Sequence, residues 1–77
     1  MPTIQIDKYK FRFYSSDRFE PPHVHVISDD KVAKIWLRPV NLQYNRGYRL
    51  SELNAILRLT RENQSVLLEA WYEYFSR

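Results

Sequence analysis

Hydrophobic and polar residues alternate with a period of two through the first part of the chain and fall at a period near 3.6 over its last third. Thr3 to Ile6 puts Ile4 and Ile6 on one side, and Lys10 to Tyr14 sets Phe11 and Phe13 against Lys10 and Arg12. Alternation of this kind belongs to strands with one buried face. The Asp7-Lys8-Tyr9 connection suits a tight hairpin. Ser15-Ser16-Asp17-Arg18 is a loop whose side chains bond their own backbone, and Pro21-Pro22 delivers an extended chain into the next strand. His23 to Ile27 alternates again, Asp29-Asp30 marks a turn, and Lys31 to Leu37 returns with Ala33, Ile35 and Leu37 on one face. Pro39 ends that strand or places it at an edge. Val40, Leu42 and Tyr44 make a further short strand, and Asn45-Arg46-Gly47 makes the next turn.

From Ser51 the period changes to that of a helix, with Ser51 as N-cap and Glu52 in the first turn. Leu53, Ile56, Leu57, Leu67, Leu68, Trp71, Tyr74 and Phe75 form one stripe, filled in the middle by Thr60 and Gln64. A single helix of about 25 residues is roughly 37 Å long. Asn63 to Ser65 is where it kinks or breaks, because such side chains also cap helices. The predicted fold is α+β: an antiparallel sheet of three to four strands in two hairpins, covered on one face by a long or kinked C-terminal helix.

Hairpin geometry sharpens this. With Asp29-Asp30 as a two-residue turn, Val24 faces Ile35, Val26 faces Ala33, His25 faces Lys34 and His23 faces Trp36. A slip by one residue opposes the hydrophobic pattern throughout. One face is then apolar and meets the helix, while the other carries His23, His25, Lys34 and Trp36.

Length and composition narrow the function classes. A chain of 77 residues has room for one core, so residues 1–77 are read as a single domain. The 44% hydrophobic content argues against disorder. One glycine argues against a Gly-rich phosphate loop, and the absence of cysteine removes disulfides, thiolate metal sites and thiol nucleophiles. A domain so small without disulfides is expected to gain stability from a homo-oligomer or another partner. No apolar run reaches bilayer length and the first ten residues lack a signal-peptide core, so no membrane and a cytoplasmic location are expected. Residues 1–50 hold nine Lys/Arg against five Asp/Glu, and residues 51–77 three against four. The basic excess in the sheet half leans toward an anionic partner, RNA or an acidic protein.

His23 and His25, at i and i+2 on a strand, project the same way about 7 Å apart. As a metal site they need a third ligand. The nearest carboxylates, Asp17 and Glu20, lie in the preceding loop, and Lys34 beside His25 repels a cation. No metal or cofactor is therefore assigned, and a histidine-based metal-binding regulator stays as an alternative. As an acid–base pair acting on a phosphodiester, His25 is the base and His23 the acid or orienting group. Lys34, Arg12 or Arg38 then neutralises phosphate. The third reading is structural: the imidazoles stack on Trp36 or bond backbone groups. Asp17, Ser15 and Ser16 are read as turn residues. Lys10, Arg12, Lys34, Trp36 and Arg38 together suggest a basic, aromatic surface of the kind that binds single-stranded nucleic acid. Trp71, Tyr74 and Phe75 put aromatics on more than one face of the helix end, which suggests a protein contact.

Taken in order, Met1-Pro2-Thr3-Ile4, Phe11-Arg12-Phe13-Tyr14-Ser15, Pro21-Pro22-His23-Val24-His25-Val26, Ala33-Lys34-Ile35-Trp36-Leu37 with Pro39-Val40, and Leu68-Glu69-Ala70-Trp71 with Glu73-Tyr74-Phe75 resemble domain-of-unknown-function family 4160. The resemblance implies a small prokaryotic protein that often lies beside a small protein of domain-of-unknown-function family 2442, in what looks like a toxin–antitoxin pair. It brings no reaction and no catalytic residue. The leading expectation is a toxin–antitoxin-like component that contacts RNA, as a metal-independent ribonuclease, with a small acidic antitoxin-like protein as partner. The competing expectation is a non-catalytic module that binds a small partner protein.

Overall fold

The computed structural model describes residues 3–76. Five antiparallel strands lie side by side in chain order: β1 (Thr3–Ile6), β2 (Tyr9–Arg12), β3 (His23–Ser28), β4 (Lys31–Leu37) and β5 (Val40–Arg46). Two helices follow, α1 (Leu50–Glu62) and α2 (Gln64–Phe75). The α+β class stands as predicted. The strand count is five rather than three to four, because Val40 to Arg46 pairs along the whole of β4. The helical third is two elements rather than one.

Polar two-residue turns close the first two tight hairpins. Asp7 and Asp29 take left-handed φ of 58° and 56°, a region that short polar side chains tolerate and that suits the twist of a ribbon. The β3–β4 register is His23↔Trp36, Val24↔Ile35, His25↔Lys34 and Val26↔Ala33, as the hydrophobic pattern required. Between β4 and β5 the register shifts at Lys34/Ile35. Gln43 is the extra residue, and its Oε1 accepts a hydrogen bond from Trp36 Nε1 at 3.0 Å. Gly47 sits at φ +102° against Lys31, where a Cβ would meet Lys31 Cγ at 3.0 Å, so both backbone and space call for glycine.

The core lies between one sheet face and the helices. Tyr9, Phe11, Phe13, Val24, Val26, Ala33, Ile35 and Leu37 come from the sheet side, and Ile56, Leu59, Leu67 and Trp71 from the helices. Helix α1 begins at Leu50, so Ser51 is inside the first turn rather than at the cap. Glu52 does the capping: its Oε1 accepts the Arg49 backbone N–H at 3.0 Å. The break between helices is at Asn63, whose backbone N–H and Nδ2 both donate to the Leu59 carbonyl, at 3.0 and 2.9 Å. Thr60 bonds the Ile56 carbonyl and Gln64 reaches the Leu37 carbonyl, so both polar residues of the helical stripe are satisfied inside it. No helix among the described residues is long and apolar enough to cross a membrane.

Candidate functional site

Alternation along β3 sends His23 and His25 to the sheet face opposite Val24 and Val26. The ladder places Arg12 of β2 on one side of His25 and Lys34 of β4 on the other. The rings gather there: His23 lies 5.2 Å from His25 and 5.4 Å from Trp36, and Lys34 Nζ sits 5.0 Å above the Trp36 ring. All four side chains thus emerge on one face.

The connection from β2 to β3 supplies what the strands do not. A 3₁₀ turn over Ser15–Phe19 carries Asp17 inward until it is 7% exposed. Asp17 Oδ2 accepts the Tyr14 backbone N–H at 2.9 Å, which fixes the carboxylate. The same oxygen lies 3.3 Å from His23 Nε2 and 3.4 Å from His25 Nε2. Pro21 contributes through its backbone, since its carbonyl accepts from His23 Nδ1 at 2.9 Å. A carbonyl only accepts, so the Nδ1 of His23 carries the hydrogen, and in the neutral ring Nε2 presents a lone pair. Both Nε2 atoms are buried and make no hydrogen bond.

Electrostatics sort the remaining groups. Burial pushes the His25 imidazole below its ordinary range; Asp17 opposes this, and His23 and Lys34 add to it. Lys34 is engaged by Glu20, with Nζ 2.6 Å from Oε1, and that bond holds the Glu20 carboxyl below its usual range. The lysine that looked repulsive to a cation is therefore neutralised. Asp17, His23 and His25 each offer one donor atom, and these atoms lie within 4.8 Å of one another. Two imidazoles and a carboxylate are a donor set suited to a divalent transition ion.

A family model described as Domain of unknown function (DUF4160) matches residues 9–72, which spans every residue of this cluster. The chain belongs to that family. No curated protein and no solved structure matches it.

In this DUF4160 chain the residues singled out from sequence separate into groups. His23, His25, Lys34 and Trp36 come together, with Arg12 beside them. Lys10 projects from β2 on the same face and lines a shallow groove with Lys8 and Arg12. A second groove, of about 370 Å³, is lined by Tyr14, His25, Tyr44 and Arg46 among others. Arg38 is not part of this assembly: it sits in the β4–β5 turn and donates to the Tyr72 hydroxyl at 2.9 Å. Trp71, expected at a partner surface, is 4% exposed and packs on Phe13 and His23 at 5.5 and 5.1 Å. Its size fills the space at the sheet's end, which makes it core. Tyr74 and Phe75 are half-buried beside it, with the Phe75 ring 4.3 Å from that of Trp71 and tilted by 54°.

Sequence reasoning missed Tyr44 and Arg46, and it named Asp17 only as one of two nearby loop carboxylates without assigning it to the site. Asp17 was read as a turn residue, and it is one, through its bond to Tyr14. The available signal was the rigid Pro21-Pro22 segment, which limits where a carboxylate six residues before His23 can lie.

Proposed function

We propose that this protein binds single-stranded RNA across its uncovered sheet face, as one member of the toxin–antitoxin-like pair that the family resemblance implies. One observation carries the reading: Lys10, Arg12, Tyr14, Tyr44 and Arg46 border two adjoining grooves, and Trp36 stands beside His23, on the sheet face opposite the core. Cations at this spacing neutralise phosphates, and exposed rings stack on bases. Tyr44 is 45% exposed, and Tyr14 stands edge-on to His25 at 4.8 Å.

Metal-free cleavage by a His25/His23 pair is not part of this reading. His23 has no exposed surface, and both Nε2 atoms turn inward to Asp17 rather than outward to a substrate. Toward RNA, His23 can act only by orienting its neighbours.

Anisotropy of a labelled single-stranded oligoribonucleotide tests the proposal. Binding should weaken steeply as salt rises, and Lys10→Glu combined with Arg12→Glu should cut affinity by at least about tenfold. Tyr44→Ala should weaken it by roughly 1–3 kcal/mol. Affinity that ignores both salt and the charge reversals would refute RNA contact on this face and return attention to a protein partner. Phe19, 92% exposed beside Arg18, is the first residue to examine for that partner.

A further inference from the structure

Two buried imidazole nitrogens, His23 Nε2 and His25 Nε2, make no hydrogen bond and face the buried Asp17 Oδ2, which itself accepts from the Tyr14 N–H. Polar atoms sealed from water are almost always paired, so each exception needs an explanation. Among the described residues three side-chain atoms are such exceptions; Arg12 Nε is one, and the two imidazole nitrogens converge on one point. His23 Nε2 has its lone pair directed there because the Nδ1–H is held by Pro21. In metal-ligating histidines the other ring nitrogen commonly donates to a backbone carbonyl or carboxylate in this way.

We propose that Asp17, His23 and His25 bind a divalent transition ion of the zinc class, through one carboxylate oxygen and two Nε2 atoms. Tetrahedral ligands at about 2.0–2.1 Å from zinc lie about 3.3–3.4 Å from each other. Two of the three separations match this: Asp17 Oδ2 is 3.3 Å from one Nε2 and 3.4 Å from the other. The three donor atoms together span 4.8 Å, so the two imidazoles must draw together when an ion binds. A cation at that point engages both Nε2 atoms and the Asp17 oxygen together, once His25, like His23, presents its Nε2 lone pair. Three protein ligands leave a fourth position for a small exogenous ligand, the arrangement of reactive rather than purely structural zinc sites.

The neighbouring charges permit this. Lys34 is paired with Glu20, and Glu20 also approaches His23 Nδ1 at 4.0 Å, adding a second carboxylate at the rim. Arg12, across the ladder from His25, is a neighbouring cation and favours an anionic fourth ligand such as hydroxide. The site adjoins the RNA-binding face through His25 and Arg12, but its three ligands are none of the residues assigned to phosphates or bases, and its test contains no RNA.

The test is titration of the metal-stripped full chain with cobalt(II) alone, followed by zinc. One equivalent of cobalt should bind and give the intense visible bands of tetrahedral coordination, and zinc should abolish them. The side-chain nitrogen resonances of both histidines should shift on zinc binding. His25→Gln alters a partly exposed side chain and should fold, shown by circular dichroism, yet lose the bands. Asp17→Asn should weaken cobalt binding by at least about tenfold. If His25→Gln does not fold, the nitrogen shifts of the unaltered chain decide alone. No bands at millimolar cobalt, bands that persist in folded His25→Gln, or shifts confined to one histidine would each overturn the site.

Discussion

Tyr48 differs from phenylalanine by one oxygen, and that oxygen donates to the Val26 carbonyl at 3.0 Å inside the core. Its ring also meets Tyr9 edge-on at 6.1 Å, with Lys31 Nζ 6.0 Å from it. Burial pushes the Tyr48 hydroxyl up to about 12, with Tyr9, Glu52 and Asp29 adding to the effect. Tyr48→Phe should therefore cost about 1 kcal/mol at neutral pH, read from denaturant midpoints. The alkaline behaviour has a definite sign. The unfolded tyrosine ionises near 10 and the folded one near 12, so the folded state holds the proton longer and stability falls as pH rises through that window. The phenylalanine variant should lose less across it; equal losses would show that Tyr48 is not held protonated by burial. At this scale alternation made the placement of His23, His25, Lys34 and Trp36 legible, because strand parity is a local rule. Asp17 was not legible as their partner. Its approach depends on how a 3₁₀ turn folds back over a strand, and no periodicity records that.

The start of α1 shows how an element is fixed by groups from two directions. Glu52 accepts from the Arg49 backbone N–H and also pairs with Lys31 Nζ of β4 at 3.3 Å. The Arg49 N–H, foremost, and Lys31 hold the Glu52 carboxyl below its ordinary range. A carboxyl lowered on folding stabilises above its unfolded value of about 4.3, and that contribution is lost as pH falls through the folded value. Thermal scans should show the unaltered chain losing stability below about pH 4.3 more steeply than Glu52→Gln. The variant should start less stable at pH 7, and the two curves should approach one another in acid. Parallel curves would mean the cap contributes nothing. Sequence reasoning placed the helix cap two residues late, at Ser51 rather than Arg49, because Ser51 is the better intrinsic cap. The capping-box carboxylate three residues after Arg49 outweighed it. The break at Asn63 was readable, since an asparagine that can bond the preceding turn is a local signal. The full length of β5 was not, because Asn45 and Arg46, read as part of a turn, are strand by virtue of their pairing with β4 beyond the bulge at Gln43.

For the whole molecule, the open question is how a sheet with one face left to function stays folded at 77 residues. Domains hold roughly 0.05–0.15 kcal/mol per residue, which here amounts to about 4–12 kcal/mol in total. Trp71 supports a large part of it. The residue joins α2 to the sheet through Phe13 on the core side and to the metal-ligand candidates through His23. Truncating a buried aromatic to alanine costs about 3–5 kcal/mol. Trp71→Ala should thus remove roughly a quarter or more of the stability and lower the urea midpoint accordingly. It should also loosen His23, whose ring lies between Trp36, His25 and Trp71, so cobalt affinity should fall with it. The helical stripe revealed Trp71 as apolar, but a stripe with aromatics on two sides does not say which one the sheet takes. Tyr72, one residue on, is 47% exposed and gives the control: Tyr72→Ala should change stability by less than about 1 kcal/mol, allowing for its bond to Arg38. If instead Trp71→Ala is as mild as Tyr72→Ala, the indole belongs to a surface, and the packing that joins α2 to His23 is wrong.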